Sequence, residues 1–69
     1  MRPNGQAIRE IREAKKIGLR TLQQMTGLNR GYLSRMERGH IRESDDAQVR
    51  KVAIALHVAL GAITHKETK

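Results

Sequence analysis

GLRTLQQMTGLNRGYLSRMERG, residues 18–39, is the stretch that decides the fold of this 69-residue chain. Leu22 and Met25 lie three apart in its first part, and Leu33 and Met36 three apart in its second. Apolar residues at that spacing fall on one face of a helix. Gly27 separates the two patterns, and glycine adopts the left-handed conformation that ends a helix without steric cost. Asn29 offers a side-chain oxygen to an orphan backbone N–H at the start of the second pattern, and Gly39 stops it. The stretch predicts two short helices, about Leu19–Thr26 and Arg30–Arg38, joined by a turn of about three or four residues.

Working outward, a helix is predicted from about Gly5 to Lys16, with Ala7, Ile8, Ile11 and Ala14 on one stripe. Arg9, Glu10, Glu13 and Lys16 lie outside it, and Glu13 and Lys16 are spaced to support each other at i,i+3. After a loop over residues 39–44, Ser44 followed by Asp45-Asp46 reads as a helix start: a capping hydroxyl, then acids at the positive end of the dipole. Val49, Val52, Ala53 and Leu56 then repeat at i, i+3, i+4 and i+7. A short fifth helix, about Ala59 to Thr64, offers Leu60 and Ile63 before a polar tail. There is no strand-like alternation, internal repeat or low-complexity segment. The expectation is one all-α domain of five helices over residues 1–69, with its core over about 5–64 and a short N-terminal arm.

The net charge of +7 is unevenly placed. Residues 1–42 hold ten Lys/Arg against three Glu, whereas residues 43–69 hold four of each sign and are neutral. Such a one-sided footprint fits a face that meets a polyanion. Two short helices joined by a tight turn are also the geometry that sets a second helix into the major groove of DNA. The basic segments lack the wide apolar and aromatic face of an interfacial helix. The longest uncharged run, Val52 to His65, falls short of the roughly 20 residues a membrane span needs. Arg-Pro-Asn-Gly after Met1 does not open a secretory signal. A cytoplasmic, nucleoid-associated protein without membrane contact is expected. With no cysteine there is no disulfide or thiolate metal site. His40, His57 and His65 have no ligand-like spacing, so no metal or cofactor is expected. Asp45-Asp46 suits the helix dipole rather than acid/base work, and the chain reads as a non-enzyme.

Over about Gln6 to Ile63 the chain resembles the lambda-repressor-like helix-turn-helix regulators, the Cro, phage-repressor and xenobiotic-response-element type. The residues that carry the resemblance are Leu22, Gly27, Leu28, Leu33, Ser34, Glu37 and Gly39, above all Ser-Arg-Met-Glu-Arg-Gly at 34–39. Residues 8–14 resemble the family's first helix, and Val52-Ala53 with Leu56 its fourth. Gln23 stands where the family usually has Ala, and Gly18 where a Ser or Thr cap is usual. The resemblance implies a double-stranded DNA-binding transcriptional regulator, a repressor, that reads DNA with its third helix. It also implies a structural pair between Arg12 and Glu37, a role that suits a carboxylate better than facing phosphate.

On that helix Arg30, Gly31, Ser34 and Arg35 are candidates for base contact. Arginine can give two parallel hydrogen bonds to guanine O6 and N7. Arg30 opens the helix, where the resemblance places base contacts, while Arg35 is open to base or phosphate. Gly31 either admits close backbone approach or leaves space for a neighbour. Tyr32, the single aromatic residue, is open to packing or to a phosphate or thymine methyl. Arg2, Arg20, Arg38, His40 and Arg42 form the expected phosphate set. Thr21 and Asn29 join it or serve as an ordinary surface residue and cap. Reading a short operator specifically argues for a homodimer on two half-sites about one helical turn apart. Ile54, Val58, Leu60 and Ile63 are its expected surface. The alternatives are an antitoxin or phage or plasmid control protein with a protein partner, and an interaction module that does not bind DNA.

Overall fold

Asn4 opens the first helix by accepting the backbone N–H of Ala7 on its side-chain oxygen at 3.1 Å. The computed structural model describes residues 1–65. Four α-helices follow in order, α1 (Gly5–Ala14), α2 (Leu19–Thr26), α3 (Arg30–Glu37) and α4 (Asp46–Leu56), then one 3-10 turn at Leu60–Ile63. The expected fifth helix is thus a 3-10 turn. Ala62 N–H closes back onto Ala59 O at 2.9 Å, and Thr64 then turns extended and pairs with Pro3 in an isolated antiparallel bridge. The polar tail falls at residues 66–69, outside the described residues.

Two boundaries differ from expectation for identifiable reasons. α1 stops at Ala14 because Lys16 takes a left-handed conformation (φ 57°), letting Lys16 N–H reach Glu13 O and Ile17 N–H reach Arg12 O, each at 3.0 Å. Glu13 therefore pairs with Arg9 at 3.3 Å rather than with Lys16. α4 begins after Asp45 without a side-chain cap. The Ser44 hydroxyl expected to cap it is buried and hydrogen-bonded to the Tyr32 hydroxyl instead. α2 ends as expected at Gly27, which is left-handed at φ 75°.

Ile8, Leu22, Leu28, Leu33, Met36, Val49, Val52, Ala53, Ala55, Leu56 and Ile63 form the core. Ile11 packs on its edge and Ala14 is exposed. Met25 does not continue the α2 stripe: it is 47% exposed, and Thr26 is buried in its place. That burial is tolerable because the Thr26 hydroxyl donates to Leu22 O at 2.8 Å and accepts from Leu28 N–H at 3.1 Å. Ile63 is fully buried, so it belongs to the core and not to a dimer surface. The N-terminal arm is fastened rather than loose. Asn4 N–H donates to Ile63 O at 2.8 Å, His65 N–H donates to Arg2 O at 3.0 Å, and the Met1 ammonium reaches Glu43 at 2.8 Å. No helix among the described residues is long and apolar enough to cross a membrane.

Candidate nucleic-acid interface

α2 and α3 meet through the Gly27–Asn29 turn, and Asn29 caps α3 by accepting Gly31 N–H at 2.7 Å. The cap uses the Asn29 oxygen and leaves its amide Nδ2, the group that could donate to a phosphate, on the exposed side. Leu33 and Met36 point into the core. Glu37 is drawn inward by Arg12 of α1, whose Nε and Nη2 donate to the two carboxylate oxygens at 2.6 and 3.0 Å. Arg12 Nη1 also donates to Ile17 O at 2.9 Å. The side chains are only 12% and 6% exposed, so the fork is largely dry. Its hydrogen bonds to Glu37 hold the Arg12 guanidinium above its ordinary pKa. The one carboxylate of α3 is thus neutralised before it can oppose a phosphate.

α3 is seated on α1 closely enough to exclude a side chain. A Cβ on Gly5 would lie 2.1 Å from Met36 O and 2.6 Å from Glu37 O. Tyr32 is half-buried against the core with its hydroxyl committed to Ser44, so its polar end faces the start of α4 and not outward. Of the two readings open for Tyr32, packing is the one these contacts support.

Gly31, Arg35 and Arg38 fall at i, i+4 and i+7, on one exposed stripe opposite Leu33 and Met36, and Arg30 is exposed at the helix start. Ser34 is half-buried and opens into a depression of about 210 Å³ shared with Arg9, Leu19 and Arg38. Of the expected phosphate set, Arg2, Arg38 and Arg42 come together around one cleft of about 390 Å³ between the arm and the end of α3. His40 is exposed in the loop beside that cleft without lining it, and Arg20 and Thr21 are exposed on α2. Two basic neighbours escaped the sequence reading. Arg9 lies one turn before Arg12 on α1, a spacing from which its proximity could have been read, whereas His65 joins the cleft through the pairing of Thr64 with Pro3. No group of His, Cys, Asp and Glu suited to a metal occurs among the described residues.

Residues 8–63 match the model of the helix-turn-helix family. Among solved structures, the restriction-modification controller protein C.AhdI from Aeromonas hydrophila is 36% identical, with a TM-score of 0.78 over 84% of this chain and 86% of that one. SinR, a master regulator for biofilm formation solved in complex with DNA, is 29% identical, with a TM-score of 0.78 over 84% of this chain and 95% of its own. The clp gene regulator ClgR from Corynebacterium glutamicum is 34% identical, with a TM-score of 0.73 over 81% and 71% of the two chains. A search of curated proteins returns no match. With the family model matched over residues 8–63, the chain belongs to the lambda-repressor-like helix-turn-helix family of DNA-binding transcriptional regulators.

Proposed function

We propose that the protein represses transcription in the cytoplasm by laying α3 into the major groove of a short operator. The observation that carries this reading is the division of α3. Leu33, Met36 and Glu37 are held inward, and Gly31, Arg35 and Arg38 are left bare on one basic stripe. Arg30 and Arg35 supply guanine-reading forks, with Ser34 beside them, while Arg2, Arg20, Thr21, Arg38, His40 and Arg42 bind phosphate and set register. Occupancy of the operator then excludes other proteins from it.

A homodimer supplies the second half-site. Ile54 is 73% exposed and adjoins half-buried Val58 and Leu60 around a shallow apolar hollow, which supports this edge as the dimer surface. The likeness to a restriction-modification controller favours, as a second reading, a control protein that uses the same edge for a protein partner.

Titration onto random-sequence duplex at several salt concentrations tests the proposal. Affinity should fall steeply with salt, and Arg38→Ala should reduce the slope by about one unit. On a selected operator, Arg30→Ala should cost about 1–3 kcal/mol and relax preference at one base pair. Absence of duplex binding at low salt would leave the fold as an interaction module.

A further inference from the structure

Glycine in a helix is destabilising relative to alanine, so Gly31 in the first turn of α3 calls for a reason. Its backbone is helical, without the positive φ of Gly27 or Gly39, and any residue adopts that conformation. Packing presses on this position only at the N-cap, and not against backbone. Where a Cβ on Gly5 would strike backbone carbonyls, a Cβ on Gly31 would meet only two groups within 4 Å, both polar side chains. They are the capping oxygen of Asn29 at 3.0 Å and Nη1 of Arg35 at 3.8 Å. A helical side chain leans toward the N-terminus over the preceding turn, and Arg35 accordingly lies across the bare backbone of Gly31. No carboxylate lies within 4.0 Å of its guanidinium among the described residues.

We propose that Gly31 and Arg35 act as one reading unit, in which the empty position at Gly31 is the seat that aims the Arg35 guanidinium at a single guanine. Gly31 is then a positioning residue that sets a base preference without touching a base. The proposal rests on α3 reading the groove. Any side chain longer than a methyl at position 31 would occupy the space the guanidinium uses and turn the fork away from guanine O6 and N7.

The experiment compares the full chain with Gly31→Leu, Gly31→Ala, Arg35→Ala, Arg35→Lys and the Gly31→Leu/Arg35→Ala double variant. Each is assayed for melting, for affinity to random duplex at low salt, and for preference at every base pair of the operator selected by the unaltered protein. Gly31→Leu should melt cooperatively, near Gly31→Ala, which shares its contact with the Asn29 cap, and its affinity for random duplex is the baseline against which its preference is read. It should lose about ten-fold in preference at one guanine. Arg35→Ala should lose the same preference at the same base pair, Arg35→Lys should fail to restore it, and the double variant should be no worse there than either single. Gly31→Ala, whose methyl presses the Asn29 oxygen at 3.0 Å but brings only an ordinary contact to Arg35, should keep most of the preference and controls for any effect of the cap. If Gly31→Leu keeps the guanine preference, if the two variants act at different base pairs, or if their losses sum in the double, the unit is overturned while groove reading stands. If the unaltered protein binds random duplex but shows no base preference anywhere, groove reading fails and the unit with it.

Discussion

α3 and α4 cross the same core but are held there by different contacts. α4 buries five side chains, Val49, Val52, Ala53, Ala55 and Leu56, and its one ion pair among the described residues is Asp46 with the Met1 ammonium at 3.5 Å. α3 buries only Leu33 and Met36, yet it carries the Arg12–Glu37 fork, the Tyr32–Ser44 hydrogen bond and the close approach of Gly5. Burial of apolar area is favourable but non-directional, so α4 supplies stability and tolerates small rotations. Hydrogen bonds weaken steeply as they bend, and a fork fixes the rotation of its helix. A helix that must present an arginine to a base edge needs the second kind of support.

The largest effect expected from this contrast is at Glu37. Glu37→Ala strands the Arg12 charge in a dry site and should cost about 3–5 kcal/mol, comparable to the roughly 2–5 kcal/mol of Leu56→Ala in the apolar core. The two should differ in kind. At a temperature where both are folded, Leu56→Ala should keep the operator preference and Glu37→Ala should blur it. Thermal melts of Arg12→Ala, Glu37→Ala and the double variant measure the coupling, and strictly additive effects would remove the fork from the account.

A smaller loss is expected from Gly5→Ala. The new methyl meets the backbone oxygens of Met36 and Glu37, which cannot rotate away, so α1 and α3 must separate. Overpacking of this sort costs about 1–3 kcal/mol, and a urea midpoint unchanged from that of the original protein would show the seat to be softer than its geometry implies.

The smallest effect has the opposite sign and sits at the end of α4. His57 is left-handed at φ 57°, closing the helix through Val58 N–H to Ala53 O at 3.0 Å. His57→Gly relieves that strain and should stabilise by about 1 kcal/mol, read as a melting rise of about 4–8 °C. Base preference should not change, because α4 does not orient α3. A change in preference would collapse the distinction between the two helices.

The apolar side of this arrangement was legible in the sequence. Leu22, Leu33, Met36, Val49, Val52, Ala53 and Leu56 fall on stripes that only a helical period explains, and all are buried. The choice between Met25 and Thr26 was not, because the stripe continues through either and the threonine wins by satisfying its hydroxyl on Leu22 O. Ser44 followed by two acids has every local mark of a cap, and a long-range partner, Tyr32, took its hydroxyl. Gly5 carried no local sign of its role, since what excludes a side chain there is a carbonyl more than thirty residues away. In the site, the Arg12–Glu37 pair came from family resemblance and the exposed arginines from helical spacing. The seat at Gly31 depends on where one side chain lies, which spacing does not specify.

The antiparallel tie between residues 2–4 and 63–65 has a kinetic meaning. The turn between α2 and α3 joins residues near in sequence and can form early, whereas the tie closes a ring of about sixty residues and depends on everything between already being in place. It is the last latch of the fold to close and, on the same path reversed, the first to open. The amide hydrogens of Asn4 and His65, which lie in hydrogen bonds across that latch, would then exchange with solvent when the latch alone opens, ahead of those in the buried turns of the helices. Because ring-closure entropy grows by only about 0.6 kcal/mol for each doubling of length, the connection over residues 39–45 can be lengthened without undoing the latch.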